Sequence, residues 1–141
     1  MSKNKIIYFS AAAATILVVI LIILFTNKTE DTVSSNGKST DKNLLVGNWV
    51  RTDASYLIKI NEVNEDGTLE TQYFNPKPIN VGKANWEESY RNLKIIVELR
   101  DVNYPGSTYT LNYLADKDML AGDYYQAVQG LTFYVEFVRN K

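Results

Sequence analysis

Three short groups of polar residues have the types and spacing needed to bind another molecule. Asn75 and Lys77 alternate with two prolines, whose fixed φ angles hold the neighbouring side chains in place. Arg100 and Asp101 lie just before a tyrosine, and a glutamine continues an apolar series at two-residue spacing. Such side chains beside apolar walls suit a small anionic ligand or a partner's loop. The candidate binding residues are therefore Asn75, Lys77, Arg100, Asp101, Tyr104 and Gln126.

A simpler alternative exists for these residues, and catalysis has little support. The prolines could simply fix a corner, with Asp101 capping a turn and Arg100 solvated. The chain has no His and no Cys, which excludes zinc sites of Cys/His type and nucleophiles that depend on histidine. Glu87 and Glu88 are adjacent on a predicted strand, so they point to opposite faces and cannot flank one bond. We therefore expect no enzymatic activity, no metal and no cofactor.

Eight β-like runs must position the polar residues, because turn signals interrupt the chain at short intervals. Apolar residues alternate with polar ones from Leu93 to Leu99 and again from Leu131 to Phe137. A period of two indicates strands with one buried face and one solvated face. Tyr104-Pro105-Gly106 has the composition of a type II turn. The predicted strands are 46–51, 56–63, 68–74, 81–88, 93–102, 108–115, 119–127 and 131–139.

This pattern predicts an all-β, antiparallel domain. Eight hairpin-linked strands leave two exposed edges unless the sheet closes, so we expect an eight-stranded up-and-down barrel. A two-sheet sandwich is the alternative. Successive hairpin loops alternate between the ends of a barrel, which places the residues Asn75, Lys77, Asp101, Tyr104 and Gln129 at one rim and Trp49 and Arg139 at the other end.

Aromatic residues on the inward parity should fill most of the barrel. An eight-stranded barrel is just wide enough to be filled by side chains or to hold one small ligand. Any cavity should therefore be small and open at one end. The inward aromatic residues are Tyr56, Tyr73, Trp86, Tyr109, Tyr113, Tyr124 and Phe133.

The two ends of the domain resemble a known group. Gly47-Asn48-Trp49 on the first strand and Phe137-Val138-Arg139 on the last are similar to the end motifs of the calycins: lipocalins, fatty-acid-binding proteins and avidins. The resemblance implies a lipocalin-like barrel in which Arg139 packs across Trp49 at the closed end and Gly47 permits close backbone approach. Gly47, Trp49 and Arg139 would then close the barrel rather than bind a ligand. The chain lacks the disulfides and C-terminal helix of lipocalins, and it most resembles small lipocalin-like domains of uncharacterised bacterial envelope proteins.

The N-terminal region predicts a membrane anchor. Residues 6–25 form an uncharged, mostly apolar run, long enough to cross a bilayer as a helix. Lys3 and Lys5 precede it, so residues 1–5 should stay in the cytoplasm and the C-terminal domain should lie outside, in the periplasm or on the cell surface. The alternatives are a cleaved secretory signal, although no cleavage site follows the run, and a buried soluble helix. Residues 26–43 are polar and predict a disordered linker, and residues 44–141 form the barrel domain.

The expected partners follow from this organisation. Residues 6–25 would bind the lipid bilayer, whereas a net charge of −1 without a basic stripe makes nucleic acid an unexpected partner. The first hypothesis is a membrane-tethered domain that binds a small apolar or amphipathic ligand at the barrel mouth. The second is a protein-interaction module, of inhibitor or immunity type, that contacts an envelope protein through its rim loops. A cavity above about 300 Å³ favours the ligand, and a filled barrel favours the module.

Overall fold

The computed structural model describes residues 40–140. The predicted cytoplasmic tail 1–5, the predicted anchor 6–25 and most of the predicted linker 26–43 lie outside the described residues. Between residues 40 and 140, no helix has the length and apolar character needed to cross a bilayer. A short 3₁₀-helix, Lys42–Leu45, begins the described fold and includes the last two residues of the predicted linker.

Nine antiparallel strands follow this helix. Each of the eight predicted runs corresponds to a strand, and the additional strand comes from the proline-rich segment. The strands are β1 (Gly47–Arg51), β2 (Leu57–Val63), β3 (Leu69–Asn75), β4 (Lys77–Ile79), β5 (Val81–Ser89), β6 (Asn92–Asp101), β7 (Tyr104–Leu114), β8 (Met119–Gln126) and β9 (Leu131–Arg139).

All nine strands belong to one sheet, in the order β4-β3-β2-β1-β9-β8-β7-β6-β5. The domain is therefore a nearly closed barrel rather than a two-sheet sandwich. The two terminal strands of the sheet, β4 and β5, are consecutive in the chain and are separated by Asn80 alone. Closure also uses a bridge between Thr68 and Asn85 and a hydrogen bond of 2.8 Å from Trp86 N to Gly67 O.

The prediction of eight strands was wrong by one, because the segment predicted as a proline loop is a hairpin. Pro76 alone separates Asn75 from Lys77, and these two residues are register partners. After Asn80 the chain pairs with β6 instead of β3. The chain thus changes its pairing partner at Asn80, and such a change leaves no clear mark in the hydrophobic alternation.

The predicted type II turn at Tyr104-Pro105-Gly106 was also wrong. These residues begin β7, and the turn consists of Val102 and Asn103. A register shift between Leu99 and Arg100 places Arg100 opposite Pro105. Gly106 has a φ of +96°, which a glycine adopts without steric cost, so the irregular pairing continues the strand.

The barrel interior is built from the alternating positions. Trp49, Tyr73, Tyr109 and Phe137 are buried together with aliphatic residues of β2, β6 and β7. Tyr113 and Tyr124 are also buried, while Tyr56 and Trp86 are half-buried against the core. Phe133 differs from the expectation, with 43% of its surface exposed. It lies near the start of β9 at the open end.

Gly122 permits the close approach of β7 and β8. A Cβ atom at this position would lie 2.2 Å from the backbone oxygen of Thr110, far inside contact distance. Because the obstacle is backbone of the neighbouring strand, a side-chain rearrangement cannot relieve it.

We predict that Gly122→Ala lowers the free energy of unfolding by about 3 kcal/mol, because the added methyl group forces β7 and β8 apart. Gly130→Ala is the control: a Cβ there meets nothing within 4 Å, and the φ of +66° costs about 1 kcal/mol for a residue with a side chain. Urea denaturation measures both values. Equal losses of unfolding free energy in the two variants would show that the close approach of β7 and β8 does not require glycine at position 122.

Candidate functional site

The closed end of the barrel is organised by Arg139. Its guanidinium carbon lies 4.1 Å from the ring centroid of Trp49. Nη1 donates to Val46 O at 2.6 Å, and Nη2 donates to Leu44 O at 2.7 Å. Nε pairs with the Asp118 carboxylate at 2.8 Å. One side chain thus joins the start of β1, the β7–β8 turn and the indole ring.

Gly47 and Trp49 fit around this guanidinium. A Cβ atom at Gly47 would lie 2.4 Å from Nη1 of Arg139, so glycine leaves the space that the arginine occupies. Trp49 is fully buried, and its Nε1 donates to Leu45 O at 2.9 Å. The guanidinium and the indole N–H therefore have partners inside the fold, and Arg139 fills the space beside Gly47 and over Trp49.

The open end contains a cavity of about 330 Å³. Tyr73 and Tyr124 are buried in its walls, whereas Phe133 is partly exposed at its edge. The rings present flat apolar faces, and the tyrosine hydroxyls add polar points to them. The aromatic lining consists of Tyr56, Tyr73, Tyr104, Tyr124 and Phe133.

Three of the six predicted binding residues line this cavity. Asn75, Tyr104 and Gln126 come from β3, β7 and β8 and meet at the mouth. Asn75 Nδ2 donates a hydrogen bond to the Tyr104 hydroxyl, which ties β3 to β7 across the opening. Asn103, in the β6–β7 turn, also lines the cavity. The mouth therefore combines amide groups with aromatic walls.

The other three predicted residues lie elsewhere. Lys77 is exposed on β4 and does not line the cavity. Arg100 covers Gly82, where a Cβ would lie 2.2 Å from its Cγ, and pairs with Glu98 at 2.6 Å. Asp101 accepts a hydrogen bond from the backbone N of Val102 at 2.8 Å, as a turn cap does. The Asp101 contact is the turn cap of the simpler alternative drawn from the sequence. The Arg100 side chain, which that alternative leaves solvated, is 60% exposed and also pairs with Glu98.

Arg51 is a lining residue that the sequence analysis missed. Its side chain is 13% exposed, and its Nε lies 2.6 Å from Oδ1 of Asp53, a residue that is 61% exposed in the β1–β2 loop. The guanidinium carbon lies 5.3 Å from the Tyr56 ring centroid and 6.0 Å from that of Tyr124. The signal was its spacing, because Trp49 and Arg51 are two residues apart on β1 and share the inward face.

Burial alone would lower the pKa of Arg51, but Asp53 and the Tyr109 hydroxyl outweigh burial and raise this pKa above its ordinary value. The guanidinium is therefore charged at every pH at which the protein folds.

A pair of tyrosines forms the floor below the mouth. The hydroxyls of Tyr73 and Tyr109 lie 2.9 Å apart and share a hydrogen bond. The ring of Tyr109 stacks on Tyr124 at 4.4 Å between centroids and meets Phe137 edge-on at 5.4 Å. Burial raises the pKa of Tyr73 and of Tyr109 far above the ordinary value of 10.0. The packed rings separate the mouth from the lower half of the barrel.

A second cavity, of about 250 Å³, lies where β3 and β5 separate. Tyr73 belongs to the walls of both cavities. The hydroxyl oxygen of Thr71 is buried there without a hydrogen-bond partner among the described residues. This gap follows from the change of partner at Asn80, which leaves the middle of β3 paired on one side only.

Comparison with known proteins finds no matching family model, no matching curated protein and no matching solved structure. The nearly closed antiparallel barrel is compatible with a calycin-like fold. The contact of Arg139 with Trp49 is the one that the calycin resemblance implied. Membership of the calycins stays a prediction.

We predict that Arg139→Lys lowers the free energy of unfolding by about 3 kcal/mol, because one ammonium group cannot reach two carbonyls and a carboxylate together. Arg91→Lys is the control, since Arg91 is exposed in the β5–β6 turn and should change stability by less than about 0.5 kcal/mol. Urea denaturation measures both. A tolerated Arg139→Lys would mean that the closing network needs only a positive charge.

We predict that stability falls steeply above pH 10, because the folded state keeps two protons that the unfolded chain releases. The unfolded tyrosines titrate near 10.0 and the buried pair titrates higher, so the full stabilisation is present below pH 10 and is lost as the pH rises. Tyr73 and Tyr109 together contribute a slope of about −2.7 kcal/mol per pH unit.

Urea midpoints measured from pH 9 to 11.5 test this expectation. The double variant Tyr73→Phe, Tyr109→Phe removes both hydroxyls of one hydrogen bond and should lose that part of the slope. Tyr90→Phe is the matched control, because Tyr90 is 98% exposed and should leave the slope unchanged. An undiminished slope in the double variant would assign the alkaline unfolding to other groups.

Proposed function

We propose that this chain is a membrane-anchored binding protein whose barrel mouth takes a small amphipathic ligand. The supporting observation is the cavity of about 330 Å³ at the open end, since small-molecule sites begin at about 300 Å³. A filled barrel would instead have favoured an interaction module that works through its rim loops.

The lining supports an amphipathic ligand rather than a purely apolar one. Aromatic faces cover the walls, while Arg51, Asn103 and Gln126 supply charge and amide groups at the opening. Apolar walls with a few fixed polar groups are typical of sites that orient one small molecule. The hydrogen-bonded floor of Tyr73 and Tyr109 limits how deeply that molecule can enter.

The attachment to a membrane rests on the sequence of residues 6–25. Within the described residues, the chain enters the barrel at its closed end: Thr40 N donates to Glu88 Oε1 at 2.9 Å, and its hydroxyl donates to Arg91 O at 2.8 Å. The mouth lies at the other end of the strands. A tether that joins there would leave the opening of the cavity free.

We predict that Gln126→Trp blocks the mouth and raises the dissociation constant of neutral ring compounds at least tenfold. Tyr125→Trp is the matched control, because Tyr125 is the adjacent residue of β8, is partly exposed and does not line the cavity. Fluorine NMR of 4-fluorobenzamide and 6-fluoroindole, added to the full chain in lipid nanodiscs, measures binding to both variants. Equal binding to the two variants, or no binding to the wild type, would contradict a ligand site at the mouth.

A further inference from the structure

The mouth presents a cation to any ligand that enters it. Arg51 is the one ionisable arginine, lysine, aspartate or glutamate among the described residues that line the cavity. Asp53 holds it from outside: Nε lies 2.6 Å from Oδ1, and Nη2 donates to Oδ2 at 2.9 Å. Among the described residues, Asp53 accepts a hydrogen bond from Nη2, whereas Nε has no hydrogen-bond partner although it lies close to Oδ1. The guanidinium therefore retains donors that a ligand's acceptor can satisfy. A planar fork of donors matches the paired oxygens of a carboxylate or a phosphate.

The charges already present at the mouth decide whether a monoanion or a dianion binds there more favourably. The charges of Arg51 and its partner Asp53 already cancel, so a bound monoanion leaves one net negative charge at the mouth and a dianion leaves two. The cavity has no second cation among its described lining residues, so a phosphate dianion would be left largely uncompensated in a partly buried site. A monoanion is therefore favoured over a dianion. A cationic group offers the guanidinium no acceptor, and a neutral carbonyl group offers a weaker one than a carboxylate does.

The aromatic walls of the cavity favour a ligand with a flat ring. Tyr56 and Tyr124 flank the guanidinium with ring centroids at 5.3 and 6.0 Å from its carbon, and Phe133 lies at the edge of the same cavity. A ring held beside these faces stacks or packs edge-on favourably. A long acyl chain is disfavoured, because Tyr73 and Tyr109 close the floor and Tyr109 is packed against both Tyr124 and Phe137.

We infer that the mouth binds a small aromatic monocarboxylate, with its carboxylate on Arg51 and its ring against Tyr56, Tyr124 and Phe133. This inference rests on the proposed ligand site and specifies its chemistry. Asp53 acts as the counter-ion of Arg51 in the empty site, and Asn103 and Gln126 are placed to meet polar substituents on the ring.

Fluorine NMR with three probes of the same size tests the inference on the full chain in nanodiscs. The probes are 4-fluorobenzoate, the neutral 4-fluorobenzamide and the cationic 4-fluorobenzylammonium. The wild type should bind the carboxylate at least tenfold more tightly than the amide, and the cation more weakly than both. Equal binding of carboxylate and amide, or preference for the cation, would overturn the inference.

Substitutions of Arg51 and of Asp53 should change the affinity for 4-fluorobenzoate in opposite directions. Arg51→Gln should weaken the binding of 4-fluorobenzoate at least tenfold and abolish the preference for the carboxylate over the amide. Arg51→Lys should keep part of that preference. Asp53→Asn removes the competing carboxylate and should raise the affinity for 4-fluorobenzoate about threefold or more. Arg91→Gln, at the closed end, is the matched control and should bind as the wild type does. Unchanged preference in Arg51→Gln would overturn the inference, as would weaker binding in Asp53→Asn.

Two results separate this inference from the function on which it rests. If the neutral probes bind and Gln126→Trp blocks them, but no carboxylate preference appears, the site exists and the inference about its ligand fails. If no probe distinguishes Gln126→Trp from Tyr125→Trp, the ligand site itself fails. Circular dichroism confirms that each variant is folded, and Asp53→Asn provides the decisive variant if Arg51→Gln does not fold.

Discussion

The guanidinium of Arg139 connects parts of the chain that are far apart in sequence and must meet for the barrel to close. It donates to the carbonyls of Leu44 and Val46, pairs with Asp118 and covers Trp49. The first and last strands are adjacent in the sheet, with Trp49 and Arg139 as register partners. A side chain with several fixed donors suits this position, because it can bind two carbonyls that precede β1 and one carboxylate at the same time.

Closure at one end leaves the other end free to differ in character. The inward residues of β1 change in character along the strand. Gly47 leaves space for the Arg139 side chain, Trp49 is buried, and Arg51 is a charged residue at the mouth. The same gradient appears on β9, where Phe137 is fully buried and Phe133 is partly exposed. The barrel is thus apolar and filled at its base and polar-aromatic with open volume at its mouth, and the floor formed by Tyr73 and Tyr109 divides the two.

Much of this architecture was predictable because burial imposes a period of two on the strands. Leu93 to Leu99 on β6 and Leu131 to Phe137 on β9 follow that period, and the meeting of Asn75, Tyr104 and Gln126 follows from the alternation of hairpin loops. The change of partner at Asn80 was not predictable, because alternation records which face is buried and not which neighbour supplies the hydrogen bonds. Arg51 was overlooked because a charged residue at a strand end ordinarily faces solvent, although its spacing from Trp49 indicated otherwise.

The tyrosine floor has a consequence for how such a protein diverges. Because the closing network and the cavity lining share no side chain, substitutions at the mouth leave the Arg139 contacts unaltered, although Tyr73 and Tyr124 also belong to the buried core. Most mutations are tolerated only while stability stays above a threshold, and lining positions outside the buried core, such as Asn103 and Gln126, depend least on it. Descendants of this chain can therefore change the chemistry of the mouth at these positions, while the framework below the floor is inherited intact.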